Sequence, residues 1–152
     1  MPQIRRILHP TDFSERSEAA WRYAELMATT FGAEVFLLHV LQEPVAVLPE
    51  SSLAVAPPAV NLPELTESAE RGLQNLTVRE PARIVGRTVL HGPAAEEIVR
   101  YAADAEADLI VLGTHGRTGL AHVLLGSVAE KVVRKAPCAV LTVRPHAHGA
   151  DD

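Results

Sequence analysis

The chain of 152 residues has a single cysteine, few aromatic residues and no long apolar run. Because Cys138 is alone, an internal disulfide is excluded, and such cysteine usage is typical of a reducing compartment. The first residues lack the apolar centre of a signal peptide, and no stretch reaches the roughly 20 apolar residues that span a bilayer. We therefore expect a cytoplasmic protein without a membrane partner.

Clusters of basic residues are also missing. The formal net charge is −5 with histidine neutral, and lysine and arginine form no stripe of the kind that binds nucleic acid. Apolar residues make up 47% of the chain and aromatic residues 4%, so Val, Leu, Ile and Ala must build the core. A chain of this length fits one domain, which we place at residues 1–145, with residues 146–152 as a disordered tail.

Short apolar runs alternate with longer amphipathic segments. Hydrophobic periodicity predicts strands at residues 4–10, 34–41, 82–92, 107–113 and 138–144, and helices at residues 15–30, 64–80, 94–107 and 127–136. Between the second strand and the second helix, residues 42–63 hold five prolines and form a long loop. A loop of this length is either functional or a mobile surface excursion.

The first helix has recognisable limits and a candidate apolar face. Either Ser14 or Thr11 caps its amino end, and Gly32 ends it. The residues expected on its apolar face are Ala19, Ala20, Tyr23, Met27 and Phe31. In the third strand, Gly86 marks an expected bulge.

The order of elements predicts a parallel, doubly wound sheet. Strands separated by helices imply right-handed crossovers, with helices on both faces of the sheet. In such folds, ligands bind outside the carboxyl ends of the strands, at the point where strand order reverses. Three strand ends are therefore candidate binding positions: residues 9–12, residues 39–41, and the segment that begins at Gly113.

The segment GTHGRTGLAHVLLGS, residues 113–127, follows the most apolar strand. It has neither the lysine of a P-loop nor the GxGxxG pattern of a dinucleotide site. Gly113 and Gly116 would let backbone N–H groups approach a phosphate closely, and Gly126-Ser127 stands where a helix starts and its amides favour an anion. Ser127 either adds a donor or caps its own helix. Together these features predict a phosphate cradle.

The spacing Gly-x-x-Gly, nine residues, Gly-Ser resembles the ATP-binding signature of the universal stress protein family. ILHPTDFSE (7–15), FLLHVL (36–41) and SVAEKVVRKAPCAVLTVR (127–144) resemble other segments of that family, so the resemblance covers nearly the whole chain. It implies an α/β fold with a five-stranded parallel sheet and helices on both faces, Rossmann-like and of adenine nucleotide alpha hydrolase-like topology. It also implies a homodimer joined through the last strand, residues 138–144.

The same resemblance implies a nucleotide site at three strand ends. Asp12 would hydrogen-bond the ribose or adenine, with Pro10 and Thr11 lining that wall, and the backbone of Val40 would meet adenine. The residues expected around the phosphates are Gly113, Thr114, His115, Gly116, Arg117, Gly126, Ser127 and Val128. Mg²⁺ or Mn²⁺ would be held mainly by phosphate oxygens rather than by protein ligands.

The resemblance implies a regulator or sensor of the stress response that binds ATP, or ADP or AMP, and acts on an unknown protein partner. Two alternatives stay open: a slow metal-dependent ATPase, and a dimeric interaction module whose nucleotide site is unused. The sequence offers no positioned general base for water, and binding alone does not stabilise a transition state. We therefore assign no catalytic residue.

Several other polar residues are expected to have structural roles. His9 and His39 lie in strands and are expected to be satisfied histidines of the core or its rim. Asp108 precedes the fourth strand, at the edge of the sheet opposite the candidate site. Cys138 is expected to be a small core residue in the last strand rather than a nucleophile.

Overall fold

The computed structural model describes residues 1–42, 60–114 and 125–145. Its elements are β1 (Arg6–Pro10), α1 (Glu15–Phe31), β2 (Glu34–Leu41), α2 (Leu62–Gln74), β3 (Arg83–His91), α3 (Ala94–Asp104), β4 (Leu109–Gly113), α4 (Ser127–Lys135) and β5 (Ala139–Val143). The strands form one parallel sheet in the order β3-β2-β1-β4-β5. The predicted α/β class and five-stranded parallel sheet are confirmed.

Two predicted segments lie outside the described residues: most of the proline-rich loop, at residues 43–59, and the tail from residue 146 onward. Within the described ranges, no helix is long and apolar enough to cross a membrane.

The strand order reverses beside β1, since β2 and β3 follow on one side and β4 and β5 on the other. The core is divided by the sheet into two layers. The layer under α1 and α2 includes Ile7 and Leu73. The layer under α3 and α4 includes Leu8, Ile98 and Val132. Successive residues of β1 therefore face opposite layers, as in a strand buried on both faces.

The ends of α1 follow capping chemistry. Ser14 is the N-cap, and its hydroxyl accepts a hydrogen bond from the amide of Ser17 at 3.2 Å. At the other end, Gly32 takes the left-handed conformation with φ 63° and donates its amide to the carbonyl of Ala28. Of the two predicted caps, Ser14 is therefore the correct one, and the predicted role of Gly32 is confirmed.

The predicted apolar face of α1 is partly wrong. The residues that the helix buries are Ser17, Ala20, Trp21, Ala24 and Ala28. Tyr23 and Phe31, which belong to the predicted face, are 39% and 52% exposed. Both sets repeat at helical spacing, so spacing alone does not decide which of them the helix buries.

The limits of α2 also differ from the prediction, which placed the helix at residues 64–80. It begins two residues earlier because Asn61 caps it and Pro63 fits the first turn, where no N–H is needed. It ends at Gln74, where the guanidinium of Arg87 on β3 donates to the carbonyls of residues 73 and 76 at 3.1 and 3.0 Å. The last two residues of the predicted loop are thus helical.

The remaining limits differ from the predictions by no more than a few residues, and β2 is as predicted. α3 ends at Asp104 because Glu106 turns the chain with φ 50°. The register of β3 against β2 shifts between Val35 and Phe36, which leaves Val85 as the extra residue. The bulge thus lies beside Gly86, where it was expected.

Candidate functional site

The ladder between β1 and β4 stops before the strands end. Its last pair in the described chain is Leu8 with Ile110. The amide of Thr11 donates to the carbonyl of Leu38 on β2, so odd-numbered β1 residues direct their amides to β2 and even-numbered residues to β4. The next residue that faces β4 is Pro10, which has no N–H. β1 and β4 therefore lose their pairing at their carboxyl ends, at the point where strand order reverses.

His9 supplies the hydrogen bond that Pro10 cannot make. Its Nδ1 lies 2.9 Å from the carbonyl oxygen of Val111, the acceptor that an amide at position 10 would face. Because a carbonyl oxygen only accepts, Nδ1 carries the proton and Nε2 is an acceptor. Among the described residues, this buried Nε2 has no partner. The predicted core position of His9 is confirmed, but among the described residues only Nδ1 of the ring has a hydrogen-bond partner.

Burial lowers the pKa of His9 to about 4, although the hydrogen bond to Val111 and the charge of Asp12 both favour the protonated ring. The ring also packs on Trp21, with centroids 5.3 Å apart. His9 is therefore neutral at pH 7 and serves as a fixed donor between β1 and β4.

Asp12 lies just beyond β1, in a turn that the first residues of α1 complete. Its Oδ1 accepts hydrogen bonds from the hydroxyl of Ser17 at 2.7 Å and from the amide of Ser14 at 3.0 Å. The Asp12 amide donates to the same hydroxyl at 3.2 Å. Asp12 therefore shapes the turn before α1 and is not its cap. Ser17 was not among the sequence candidates, and only its position one helical turn after the cap could have indicated it.

Phe13 holds this turn against β2 and α2. Its φ of 62° is left-handed, a conformation that bulky residues rarely adopt. Its ring packs on His39 with centroids 4.8 Å apart, and occupies space where a Cβ on Gly72 would come within 2.6 Å. Nδ1 of His39, which is buried as predicted, lies 2.7 Å from the carbonyl oxygen of Thr11. β2 and α2 thus fix the positions of Thr11 and Asp12.

A hydrogen bond joins Thr114, near the start of the glycine segment, to Gly126, near its end. Thr114 is 1% exposed, and its carbonyl accepts a hydrogen bond from the amide of Gly126. Its own amide donates to the carbonyl of Val143 on β5 at 3.0 Å. Gly126 and the amino end of α4 therefore lie beside the carboxyl end of β4. The candidate residues His115, Gly116 and Arg117 lie outside the described residues.

Ser127 is the first residue of α4 rather than its cap. The N-cap is Gly126, and no side chain caps the helix. Of the two interpretations of Ser127, self-capping is therefore wrong. The first-turn amides of a helix have no intrahelical acceptor and carry its positive dipole end, so Ser127 and Val128 stand where a helix favours an anion.

Gly113 has a packing requirement that the sequence did not reveal. A Cβ at this position would lie 3.0 Å from the carbonyl oxygen of Arg16 and 3.2 Å from its carbonyl carbon. These are backbone atoms of the first turn of α1, which cannot move aside as a flexible side chain would. The turn that follows Asp12 therefore lies directly against the end of β4.

Val40 is partly buried in β2, where it pairs with Leu90 of β3. The carbonyl of Leu38 faces β1, so the main-chain groups of Val40, two residues further on, face the same side. β1 ends opposite Leu38, at Pro10. The amide and carbonyl of Val40 therefore point to the side of the Asp12 turn, beyond the end of β1.

Outside the site, Asp108 has the predicted structural role. Its Oδ2 accepts hydrogen bonds from the amides of Arg5 and Arg6, at 2.8 and 2.9 Å, and so joins the start of β1 to the start of β4. Cys138 lies one residue before β5 and packs partly on the core, where burial raises the pKa of its thiol. In the described ranges, no group of three or more His, Cys, Asp or Glu side chains could hold a metal ion.

Two solved structures similar in fold contain adenine nucleotides. One is a universal stress protein in complex with cAMP, which is 23% identical, has a TM-score of 0.61 and aligns over 93% of this chain and 98% of its own. The other is the universal stress protein of Archaeoglobus fulgidus in complex with dAMP, which is also 23% identical, with a TM-score of 0.59 and coverage of 93% and 98%.

More similar relatives share most of the sequence span. Universal stress protein MJ0577 of Methanocaldococcus jannaschii is 34% identical over 92% of this chain and 94% of its own length. Its solved structure has a TM-score of 0.76 over 95% of this chain and 98% of its own. Universal stress protein MJ0531 of the same organism is 39% identical, with coverage of 92% and 82%. The universal stress protein family model matches residues 3–144, and the chain therefore belongs to that family.

Proposed function

We propose that this chain binds ATP or a related adenine nucleotide and acts as a nucleotide-dependent regulator or sensor of the stress response. The site would lie at the carboxyl ends of β1, β2 and β4, within one domain of residues 1–145. The carrying observation is the hydrogen bond between Gly126 and Thr114, because it brings the amino end of α4 beside the carboxyl end of β4, where β4 no longer pairs with β1. Bound adenine nucleotides in two proteins of similar fold add support.

The phosphates would bind at the amino end of α4. Gly126, Ser127 and Val128 would offer amides and a hydroxyl from one side, and residues 113–117 would close the other. The acidic residue of the first turn, Glu130, is paired with Arg134 at 2.7 Å, which reduces its repulsion of an anion. A bound Mg²⁺ or Mn²⁺ would neutralise phosphate charge and take its ligands mainly from the phosphate oxygens and water.

The nucleoside would bind beside the turn after β1. The carboxylate of Asp12 accepts hydrogen bonds, so it suits a ribose hydroxyl or the adenine amino group. Pro10 and Thr11 would line this wall, and the main-chain groups of Val40 would meet the edge of the base. The amide of Val40 can donate to an acceptor on that edge of adenine, and the carbonyl of Val40 can accept from a donor beside it.

The homodimer would form through β5. The two edge strands of the sheet are β3 and β5. β3 carries Arg83 and Arg87 and has a bulge at Val85, which are features that protect an edge from further pairing. β5, AVLTV, has neither charge nor proline. The β5 strand of a second copy, related by a two-fold axis, would therefore pair with β5. An unidentified protein partner would bind the dimer differently with and without nucleotide.

Isothermal titration calorimetry with ATP, ADP, AMP and cAMP, each with and without Mg²⁺, tests the proposal. We expect wild-type protein to bind at least one of them, and Asp12→Ala to bind it more weakly. Asp104→Ala removes an exposed carboxylate at the end of α3 and should bind as wild type does. Failure of the wild type to bind any of these nucleotides would refute the proposal. Measuring ADP release in the same samples separates a binding protein from the ATPase alternative.

A further inference from the structure

Ser17 is held firmly beside the candidate nucleotide site. It lies in the first turn of α1 and is 8% exposed. Its amide donates to the capping hydroxyl of Ser14 at 3.2 Å. The neighbouring carbonyl of Arg16 lies against Gly113, so the end of β4 supports this turn from the other side. Ser17 thus belongs to a packed turn of a helix rather than to a loop.

The hydroxyl of Ser17 contacts both polar groups of one residue. It donates its only proton to Oδ1 of Asp12 at 2.7 Å, and its lone pairs accept the Asp12 amide at 3.2 Å. The amide of Ser14 donates to the same Oδ1 at 3.0 Å. Two donors on one oxygen fix the rotation of the carboxylate, and with it the direction of Oδ2.

We propose that Ser17 is a positioning residue for nucleotide binding, because it sets the direction in which the Asp12 carboxylate meets the nucleoside. This inference rests on the proposed function. The group that Asp12 receives must be a hydrogen-bond donor, which in an adenine nucleotide is a ribose hydroxyl or the 6-amino group of the base. Ser17 itself does not touch the nucleotide and acts only through Asp12.

A purely structural role for Ser17 makes a different prediction. Alanine has a higher helix propensity than serine, so Ser17→Ala removes the two hydrogen bonds without harming the helical backbone. If the hydroxyl only stabilised the fold, the variant would change the unfolding midpoint and leave nucleotide affinity unchanged. If it orients Asp12, affinity falls in protein that is still folded.

A double-mutant cycle in ATP affinity, measured by calorimetry, tests this dependence on Asp12. We expect Ser17→Ala to raise the Kd for ATP by roughly tenfold, as expected for a lost hydrogen bond to a charged group. In the Asp12→Ala background, the same change should alter the Kd by less than about twofold, because the group that it orients is gone. Ser17→Thr keeps the hydroxyl and should restore most of the affinity.

Thr88→Val is the matched control. It removes another partly buried hydroxyl, which lies 3.1 Å from the hydroxyl of Tyr101, on β3 and away from the site. We expect its Kd to equal that of wild type. Three analogues identify the group that Asp12 receives: 2′-deoxy-ATP, 3′-deoxy-ATP and inosine triphosphate, which has no 6-amino group. The effect of Ser17→Ala should disappear for the analogue that lacks that group.

The outcomes separate this inference from the proposed function. Wild-type affinity in Ser17→Ala, or an equal loss of affinity with and without Asp12, would overturn the positioning role while leaving nucleotide binding intact. A wild type that binds no adenine nucleotide would overturn both. If Ser17→Ala is unfolded, Ser17→Cys, which keeps the size of the side chain, takes its place in the cycle with the same expected results.

Discussion

Acid should destabilise this protein through His9. An unperturbed histidine has a pKa of 6.5, and burial lowers that of folded His9 to about 4. Because the folded pKa is the lower one, the unfolded chain binds the proton first as pH falls. The contribution of the neutral ring is thus complete above about pH 6.5, decreases between pH 6.5 and 4, and is lost below that range. The difference between these two pKa values corresponds to about 3 kcal/mol.

Urea unfolding of wild type and His9→Asn between pH 7.5 and 3.5 measures this contribution. Asparagine keeps an N–H group for the carbonyl of Val111 but does not titrate, so all other ionisable groups are common to both proteins. At pH 7 the variant should be less stable by about 1–3 kcal/mol, since it loses ring packing on Trp21. As pH falls to 4, the wild type should lose about 3 kcal/mol more than the variant does.

Parallel stability curves for the two proteins would refute this reasoning. They would mean that the folded protein accepts a proton on Nε2 of His9 without cost, in spite of its burial and its lack of a partner among the described residues. An NMR titration of the ring provides a direct check. The His9 resonances should stay those of a neutral ring down to about pH 5.

Three further changes test separate parts of the structure. Gly113→Ala should lower the free energy of unfolding by about 1–3 kcal/mol in urea, because its Cβ meets the Arg16 backbone; an unchanged value would contradict that contact. Asp108→Ala should cost about 1–3 kcal/mol through two lost hydrogen bonds, with nucleotide affinity unchanged in calorimetry. The carbonyl of Val143 faces β4, so the amide of residue 142 faces away from β4, toward the edge where a second copy would pair. Thr142→Pro removes this amide and should therefore yield monomers in sedimentation velocity. Thr142→Val keeps this amide and should stay dimeric; a dimeric Thr142→Pro would exclude pairing through β5.

Local features of the sequence were enough to predict most of the fold. The limits of β2 follow from one apolar run, and the ends of α1 follow from Ser14 and Gly32. The end of α2 could not be predicted in this way, because it depends on the guanidinium of Arg87, which reaches it from another strand. The buried face of α1 likewise depends on how the helix packs on the sheet, and Tyr23 is exposed although its spacing suits the core.

Some features of the candidate site could likewise be predicted from the sequence, and others could not. The turn that contains Asp12 and the spacing from Gly113 to Gly126 were visible in the sequence, since both follow strand ends in a recognisable pattern. The role of Ser17 was not visible, because it depends on the orientation of one hydroxyl across a helical turn. Nor was the packing reason for Gly113, because the turn that it touches lies about a hundred residues earlier in the chain.

Pro10 links the stability of the sheet to the loss of pairing between β1 and β4 at their carboxyl ends. Without an N–H, it ends the β1–β4 ladder and separates two strands at the point where a doubly wound sheet binds ligands. The carbonyl of Val111 would then be buried without a donor, at a cost of about 1–3 kcal/mol, if His9 did not reach it. To make this hydrogen bond the ring lies buried in the core, where burial disfavours its charged form, and that burial is the origin of the acid sensitivity. The dipeptide His9-Pro10 therefore ends the pairing of β1 with β4 and supplies the hydrogen bond that this loss would leave unmade, so the two residues act together.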